Sequence, residues 1–415
     1  MSSTDLTRGP SPRPAAPSGR AENPSPSGGL PLPALLALAT AVFITSLTET
    51  LPAGLLPAMG GDLGVGESAA GQTVTIYALG TVLTAVPLSA ATAGWRRRRL
   101  LLTAMGGFAL ANTVTALSGS YALTMGARFA AGVAAGLAWA LLAGYARRMA
   151  PVHLQGKAIA VAMAGIPVAL SLGVPAGTFV GRVVDWRTAF LVMTGLTLVL
   201  LGWILAAVPD YPGHRPEKGS SPSTTAALKV PGVAPVLAVT LVFVLAHTLL
   251  YTYIAAFLDR LGMGGRADVV LLVFGAASLL SIWAVGSLIN RRLRALMITG
   301  TLLVAVAGGI LALFARSPAL VYGAVVLWGL GWGGAPTLLQ TAAGDAGGEQ
   351  ADAAQAMLVT LWNVAMAGGG VVGGLLLDAF GTGALPWSVL ALLVPVAAVV
   401  IAARTHGFPA RRESS

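Results

Sequence analysis

Apolar residues follow one another along this chain in windows of about twenty, broken by short polar turns. From residue 33 onward they predict spans at 33–57, 68–92, 100–118, 122–145, 158–180 and 188–207. A second set follows at 234–258, 269–289, 296–314, 319–342, 353–377 and 386–403. About 20 apolar residues rising 1.5 Å each cross the ~30 Å hydrocarbon core of a bilayer, so the pattern predicts twelve transmembrane helices. Residues 1–32 are rich in Pro, Ser and Gly. Such a segment cannot bury enough apolar surface to offset its ordering entropy, and it reads as a disordered tail. The longest internal polar stretch, PDYPGHRPEKGSSPSTTAALKVPG (209–232), separates the two sets of spans. The expected organisation is a tail (1–32), a six-helix bundle (33–207), a linker (208–233), a second six-helix bundle (234–404) and a short tail (405–415).

Composition agrees with the pattern and narrows the chemistry. Of 415 residues, 56% are apolar and 10% charged, with a mean hydropathy of +0.80, whereas soluble domains carry about 25% charged residues. With no cysteine there is no disulfide framework or thiol chemistry, and four scattered His give no metal-ligand spacing. No metal or cofactor is expected. No glycine loop followed by Lys and Ser/Thr is present, which argues against ATP-driven work. The formal charge of +10 could suggest nucleic acid, but the distribution of the bases argues otherwise. If the N-terminus is cytoplasmic, 19 of the 25 bases fall on the inner side, among them Arg96–Arg99, Arg147, Arg148, Lys157, Arg291, Arg292 and Arg294. That is the positive-inside pattern. It points to contact with lipid head groups, no nucleic-acid partner, and two cytoplasmic termini.

The halves also repeat. YALGTVLTAVPLSAATAGWRRRRLL (77–101) set against LVFGAASLLSIWAVGSLINRRLRAL (272–296) at an offset of 195 brings Gly80 onto Gly275 and Arg96 onto Arg291. Together with ETLPAGLLPAMGGDLGV (49–65), AGQTVTIYALG (70–80), ARFAAGVAAGLAWAL (127–141), GIPVALSLGVPAGTFVG (165–181), WRTAF (186–190) and HTLLYTYIAAFL (247–258), the chain resembles the major facilitator superfamily. The likeness, over residues 33–404, is to its drug:proton antiporter branch, among sugar-efflux and actinobacterial chloramphenicol-resistance exporters. It implies an all-α membrane protein of the major facilitator fold in a bacterial inner membrane, a monomer powered by the proton gradient. One departure matters. The family's loop after the second helix carries an Asp, whereas AATAGWRRRR (90–99) has none, and Asn290 precedes Arg291 in the second half. Those bases are expected instead to stabilise the C-terminal ends of neighbouring helices.

Glu49 is the single acid placed well inside a span, about 24 Å from the inner edge by helical rise. A carboxylate in lipid costs several kcal/mol when ionised, which suits a proton carrier; the alternative is a structural carboxyl near the outer interface. The resemblance points the same way, since this branch carries an acid on helix 1. Arg128, the single base inside a span, lies about 21 Å from the inner side. Matched depth and opposite sign point to an ion pair, against an Arg that snorkels to the outer head groups; the resemblance adds that helices 1 and 4 face one cavity. His247 can titrate near neutral pH and is a second proton candidate. Gly165, Gly173, Gly177 and Gly181, with Pro167 and Pro175, make a small-residue stripe suited to close packing and resemble the antiporter motif, a gating element. Gln72, Tyr77, Trp139, His247, Tyr251, Trp332 and Asn363 are expected to line a cavity for amphiphilic organic molecules, although tryptophans also serve as packing residues. The expected function is proton-coupled export of a small organic molecule by alternating access. The rival readings are an uptake symporter and, remotely, a membrane sensor or enzyme.

Overall fold

The computed structural model describes residues 29–151, 154–213, 224–315 and 317–409. The expected disordered tail falls largely outside them, at 1–28, as do 214–223 of the expected linker and 410–415 of the short tail. All regular structure among the described residues is helical. Helix α1 (Leu32–Thr50) passes through a 3-10 turn (Leu51–Gly54) into α2 (Leu56–Leu63), and α3 (Glu67–Ala91), α4 (Arg97–Leu117) and α5 (Tyr121–Arg148) follow. The fifth span is broken into α6 (Gln155–Met163), α7 (Gly165–Val168), a π turn (Ala169–Gly173) and α8 (Val174–Val183). Helix α9 (Trp186–Ala207) ends the first half, and a short α10 (Thr224–Lys229) lies in the linker. The second half comprises α11 (Val233–Thr252), α12 (Ile254–Arg260), α13 (Ala267–Phe314), α14 (Pro318–Trp332), α15 (Ala335–Gly347), α16 (Ala351–Phe380) and α17 (Ala384–Ala402). Eleven helical segments of the described residues are long and apolar enough to cross a membrane. Helix α3, 25 residues and about 37 Å long, completes the two sets of six.

The break in the fifth span has a sequence cause. Pro167 and Pro175 have no N–H to return to the preceding turn, and the backbone between them widens into the π turn. The glycine stripe of the same span packs on the first span. A Cβ at Gly165 would overlap Ala39 and Phe43, one at Gly173 would meet Phe43, and those at Gly177 and Gly181 would meet Leu51 and Leu55.

The repeat is real but its register differs from the expected one. In the first half the Thr81 hydroxyl donates to the carbonyls of Tyr77 (3.2 Å) and Gly132 (3.1 Å). In the second, the Ser278 hydroxyl donates to those of Phe274 (2.8 Å) and Gly329 (3.3 Å). Gly132 presses on the Tyr77 backbone just as Gly329 presses on that of Phe274. Within the membrane the offset is therefore 197, so Gly80 corresponds to Ala277, and the pairing of Gly80 with Gly275 is corrected. The two extra residues separating Thr81 from Arg96 are absorbed in a non-helical turn at 92–96. The second half instead runs on through a kink at Arg292 (φ −138°, ψ 30°) inside α13.

Side-chain bonds between the halves gather toward the end away from the arginine turns. Gln72 Nε2 and the Tyr253 hydroxyl both donate to the Gly370 carbonyl (3.2 and 2.8 Å), and Thr75 donates to that of Ala367 (3.4 Å). Arg182 pairs with Asp268 at 2.9 Å, and nearer the middle Ser171 donates to the Gly275 carbonyl (2.9 Å). The glycine run 367–374 makes this closure possible, because a Cβ at Gly370 would collide with Thr75 and one at Gly374 with Gln72 and Ser68. Among the described residues no side-chain hydrogen bond joins the halves near the arginine turns. The bundle is thus closed at the end opposite its basic face.

Candidate functional site

Two buried polar groups occupy the two halves. The first is built on Glu49, at the end of α1 and 9% exposed, and on Arg128, fully buried on α5. They interact electrostatically, but no ion pair within 4.0 Å forms between them, which corrects the expected contact. Arg128 leaves α5 toward α3 and α9, where aromatic rings receive it: Cζ lies 4.9 Å from the Tyr77 ring centroid and 5.9 Å from that of Phe190. Such placement over ring faces favours the cation. Nε donates to the Thr73 carbonyl at 3.3 Å, while Nη1 and Nη2 are buried without a partner. The Tyr77 hydroxyl donates to the Thr45 carbonyl of α1 (3.2 Å), tying the second span to the first one turn before Glu49. Buried Asn112 donates to Thr48 (3.2 Å), the neighbour of Glu49, and leaves its own Oδ1 unpartnered. A buried carboxyl, a stacked guanidinium and several unsatisfied polar atoms form a cluster in which a change of one proton or one hydrogen bond is costly.

The second group is aromatic. His247 and Trp332 rings stack with centroids 3.4 Å apart and planes 5° from parallel, and Phe243 stacks on Trp332 at 5.8 Å. Tyr251, Phe274 and Trp328 surround His247 at 5.3 to 5.9 Å, and Trp362 leans on Trp332 at 5.6 Å. Trp328 Nε1 donates to His247 Nδ1 at 3.1 Å, which fixes that nitrogen as an acceptor. The Tyr251 hydroxyl is buried and unpartnered.

The expected site residues therefore divide. Glu49, Tyr77 and Arg128 come together, as do His247, Tyr251 and Trp332. Gln72 belongs to the closure between halves. Trp139 is half-buried against the first half's apolar core, and half-buried Asn363 spends its amide on the Val359 carbonyl of its own helix (2.9 Å). Gly165, Pro167, Gly173, Pro175, Gly177 and Gly181 shape the fifth span and its contact with the first. Sequence reasoning missed Thr48, Asn112 and Phe190; an amide within an apolar span was the available signal for Asn112.

The missing loop acid is also replaced. Asp210, just past α9, pairs with Arg96 and accepts from the Arg98 amide at 3.2 Å. Against the upward push of partial burial, these bonds hold its carboxyl below the usual range. In the second half Arg294 Nη2 donates to the Ile401 carbonyl at the C-terminal end of α17 (2.7 Å), the arrangement expected of these bases.

Comparison with known proteins places the arrangement in context. Residues 38–369 match the family model described as Major Facilitator Superfamily. A protein of Pseudomonas aeruginosa named transcription regulatory protein OpdE is 30% identical over 393 residues, covering 94% of this chain and 97% of that protein. A chloramphenicol efflux pump of Mycobacterium tuberculosis is 30% identical over 354 residues, covering 83% of this chain and 86% of the pump. The purine ribonucleoside efflux pump NepI of Escherichia coli is 26% identical over 351 residues, covering 84% and 88%. Among solved structures, the nucleoside transporter NupG superposes with a TM-score of 0.72 at 13% identity, covering 90% of this chain and all of that one. A bacterial homologue of the lysosomal transporter Spinster, facing inward and unoccupied, superposes at 0.73 and 14% identity, covering 94% of this chain and all of that one. The chain belongs to the major facilitator superfamily and is a multi-pass membrane transporter of two six-helix halves.

Proposed function

We propose that the protein exports a small organic molecule in exchange for protons, with Glu49 as the proton carrier. The observation that carries this reading is Glu49 itself: a buried carboxyl beside Tyr77 and Arg128 with no ion-pair partner within 4.0 Å, in a chain whose relatives include named efflux pumps. Such a group changes its electrostatic cost with each proton gained or lost, and so biases the two halves between states. His247 is the weaker candidate. Its Nδ1 already accepts from Trp328, so a proton there would set two donors against each other; it serves better as part of the aromatic wall. That wall and the unpartnered Tyr251 hydroxyl suit a substrate joining an aromatic ring to hydrogen-bonding groups, as chloramphenicol and purine ribonucleosides do.

In this reading the open end faces the cytoplasm of a bacterial inner membrane, with both termini inside, and the positive-inside bias of the arginine turns supports it. Substrate enters there, and the halves rock about the two buried groups to release it outside. The protein works as a monomer with no bound cofactor. Inverted membrane vesicles given a pH gradient, acid inside, should accumulate chloramphenicol or a purine ribonucleoside, and right-side-out vesicles should not. Accumulation under the opposite gradient orientation would establish uptake. Exchange by the purified protein alone separates transport from the regulatory role that the name of the Pseudomonas relative suggests.

A further inference from the structure

Beyond transport, the inner ends of α4 and α5 form a cavity of about 90 Å³ lined by Arg97, Ala140, Leu141, Gly144, Tyr145 and Arg148. Two guanidiniums share its wall and act on each other. Neither forms an ion pair among the described residues; Arg148 has a single weak bond to the Pro212 carbonyl at 3.4 Å. The nearby acid is already committed, since Asp210 is held by Arg96 and the Arg98 amide. The Arg97 amide donates to the Tyr211 carbonyl (2.8 Å), so the start of α4 is capped and its amides do not supply the attraction. Tyr145 is pinned as a wall, donating to the Pro209 carbonyl at 2.6 Å and standing edge-on to Tyr211. On the membrane side the wall is low: Ala140 and Gly144 are exposed, and a Cβ at Gly144 would meet nothing within 4 Å. Exposed Trp95, with Arg99 5.5 Å from its ring, marks this level as the interfacial belt where head groups lie. The turn at the corresponding place in the second half differs, because Arg294 there is spent on the Ile401 carbonyl.

We propose that this cavity is a binding site for the phosphate of an anionic phospholipid of the adjoining leaflet. Two like charges held side by side without an acid invite one phosphate bridging both, and basic pockets between spans are suited to such head groups. The assignment rests on the cavity and its charges and is independent of which molecule is transported.

The test is native mass spectrometry of the purified full chain released from nanodiscs of phosphatidylcholine containing a minor share of cardiolipin or phosphatidylglycerol. The wild type should retain the anionic lipid over phosphatidylcholine. Arg97→Gln with Arg148→Gln should weaken retention about thirty-fold, about 2 kcal/mol at ~1 kcal/mol per base. Arg97→Lys with Arg148→Lys should restore most of it, and Arg291→Gln with Arg292→Gln should leave it intact. Equal retention by wild type and the glutamine pair would overturn the proposal, and so would equal retention of phosphatidylcholine by the wild type. Displacement of the lipid by inorganic phosphate would mark a soluble-anion site instead and equally defeat the lipid assignment. Wild-type selectivity stands as a measurement even where the glutamine pair fails to fold.

Discussion

Removing the Tyr253 hydroxyl should loosen the closed end of the bundle without disturbing its packing. In Tyr253→Phe the ring stays in the space left by Gly71 and Gly373, while the 2.8 Å bond to the Gly370 carbonyl and the 3.4 Å contacts with Ser68 and Gln72 disappear. Gly370 keeps the bond from Gln72 Nε2 at 3.2 Å, so no carbonyl is orphaned, and the loss is that of a satisfied hydrogen bond, about 1 kcal/mol. That is about a five-fold rise in the ratio of molecules open at this end to molecules closed. Breaking the Arg182–Asp268 pair by Arg182→Gln acts in the same direction. Because Arg182 is 42% exposed, the pair is screened on one side and its net worth is no more than about 1 kcal/mol. The chain has no cysteine, so labels can be placed without first removing any. Spin labels on Gly66→Cys and Gly265→Cys, exposed sites with open space around them, report the separation of the halves by pulsed electron spin resonance. The longer distance should gain population in both variants and most in their combination. An unchanged distribution in Tyr253→Phe and in Arg182→Gln would refute the role given to these bonds.

Further outcomes follow from the same contacts. Gly132→Ala and Gly329→Ala each drive a methyl into the backbone of a neighbouring span, so each should cost about 1–3 kcal/mol in thermal unfolding, whereas Gly126→Ala, with nothing within 4 Å, should be neutral. Asp210 titrates below its ordinary range in the folded protein, so its contribution is present above the unfolded value near 3.9 and is lost as pH falls through the depressed one. Asp210→Asn should therefore reduce stability at neutral pH by no more than about 1 kcal/mol, with Arg96 two-thirds exposed, read as a slightly lower melting temperature, and the difference should vanish in acid. Trp328→Phe removes the donor to His247 Nδ1 and should weaken substrate binding several-fold in a tryptophan-quenching titration, while proton coupling survives.

What the sequence disclosed and what it concealed have physical reasons. Spans were legible because lipid imposes long apolar runs on the chain itself. Glu49 and Arg128 stood out because a charge among such residues is rare. Their actual geometry was not legible: Arg128 turns to Tyr77 on α3, against which α5 packs, and reaches Phe190 on α9. The bonds of Tyr253 to Gly370 and of Ser171 to Gly275 join residues 117 and 104 apart, and no periodicity encodes a contact between halves. The register of the repeat was misread by two because the basic turns align in sequence at one offset and the helices behind them at another. Asp210 escaped notice because its value depends on the linker folding back onto the arginine turn.

The central claim is that protons cross with Glu49. The direct measurement is proton flux into proteoliposomes of purified protein, followed with a pH-sensitive dye while chloramphenicol or a purine ribonucleoside is driven down its own gradient. Wild type should move protons opposite to the substrate, and Glu49→Gln should bind substrate yet move none. Undiminished proton exchange by Glu49→Gln would contradict the account.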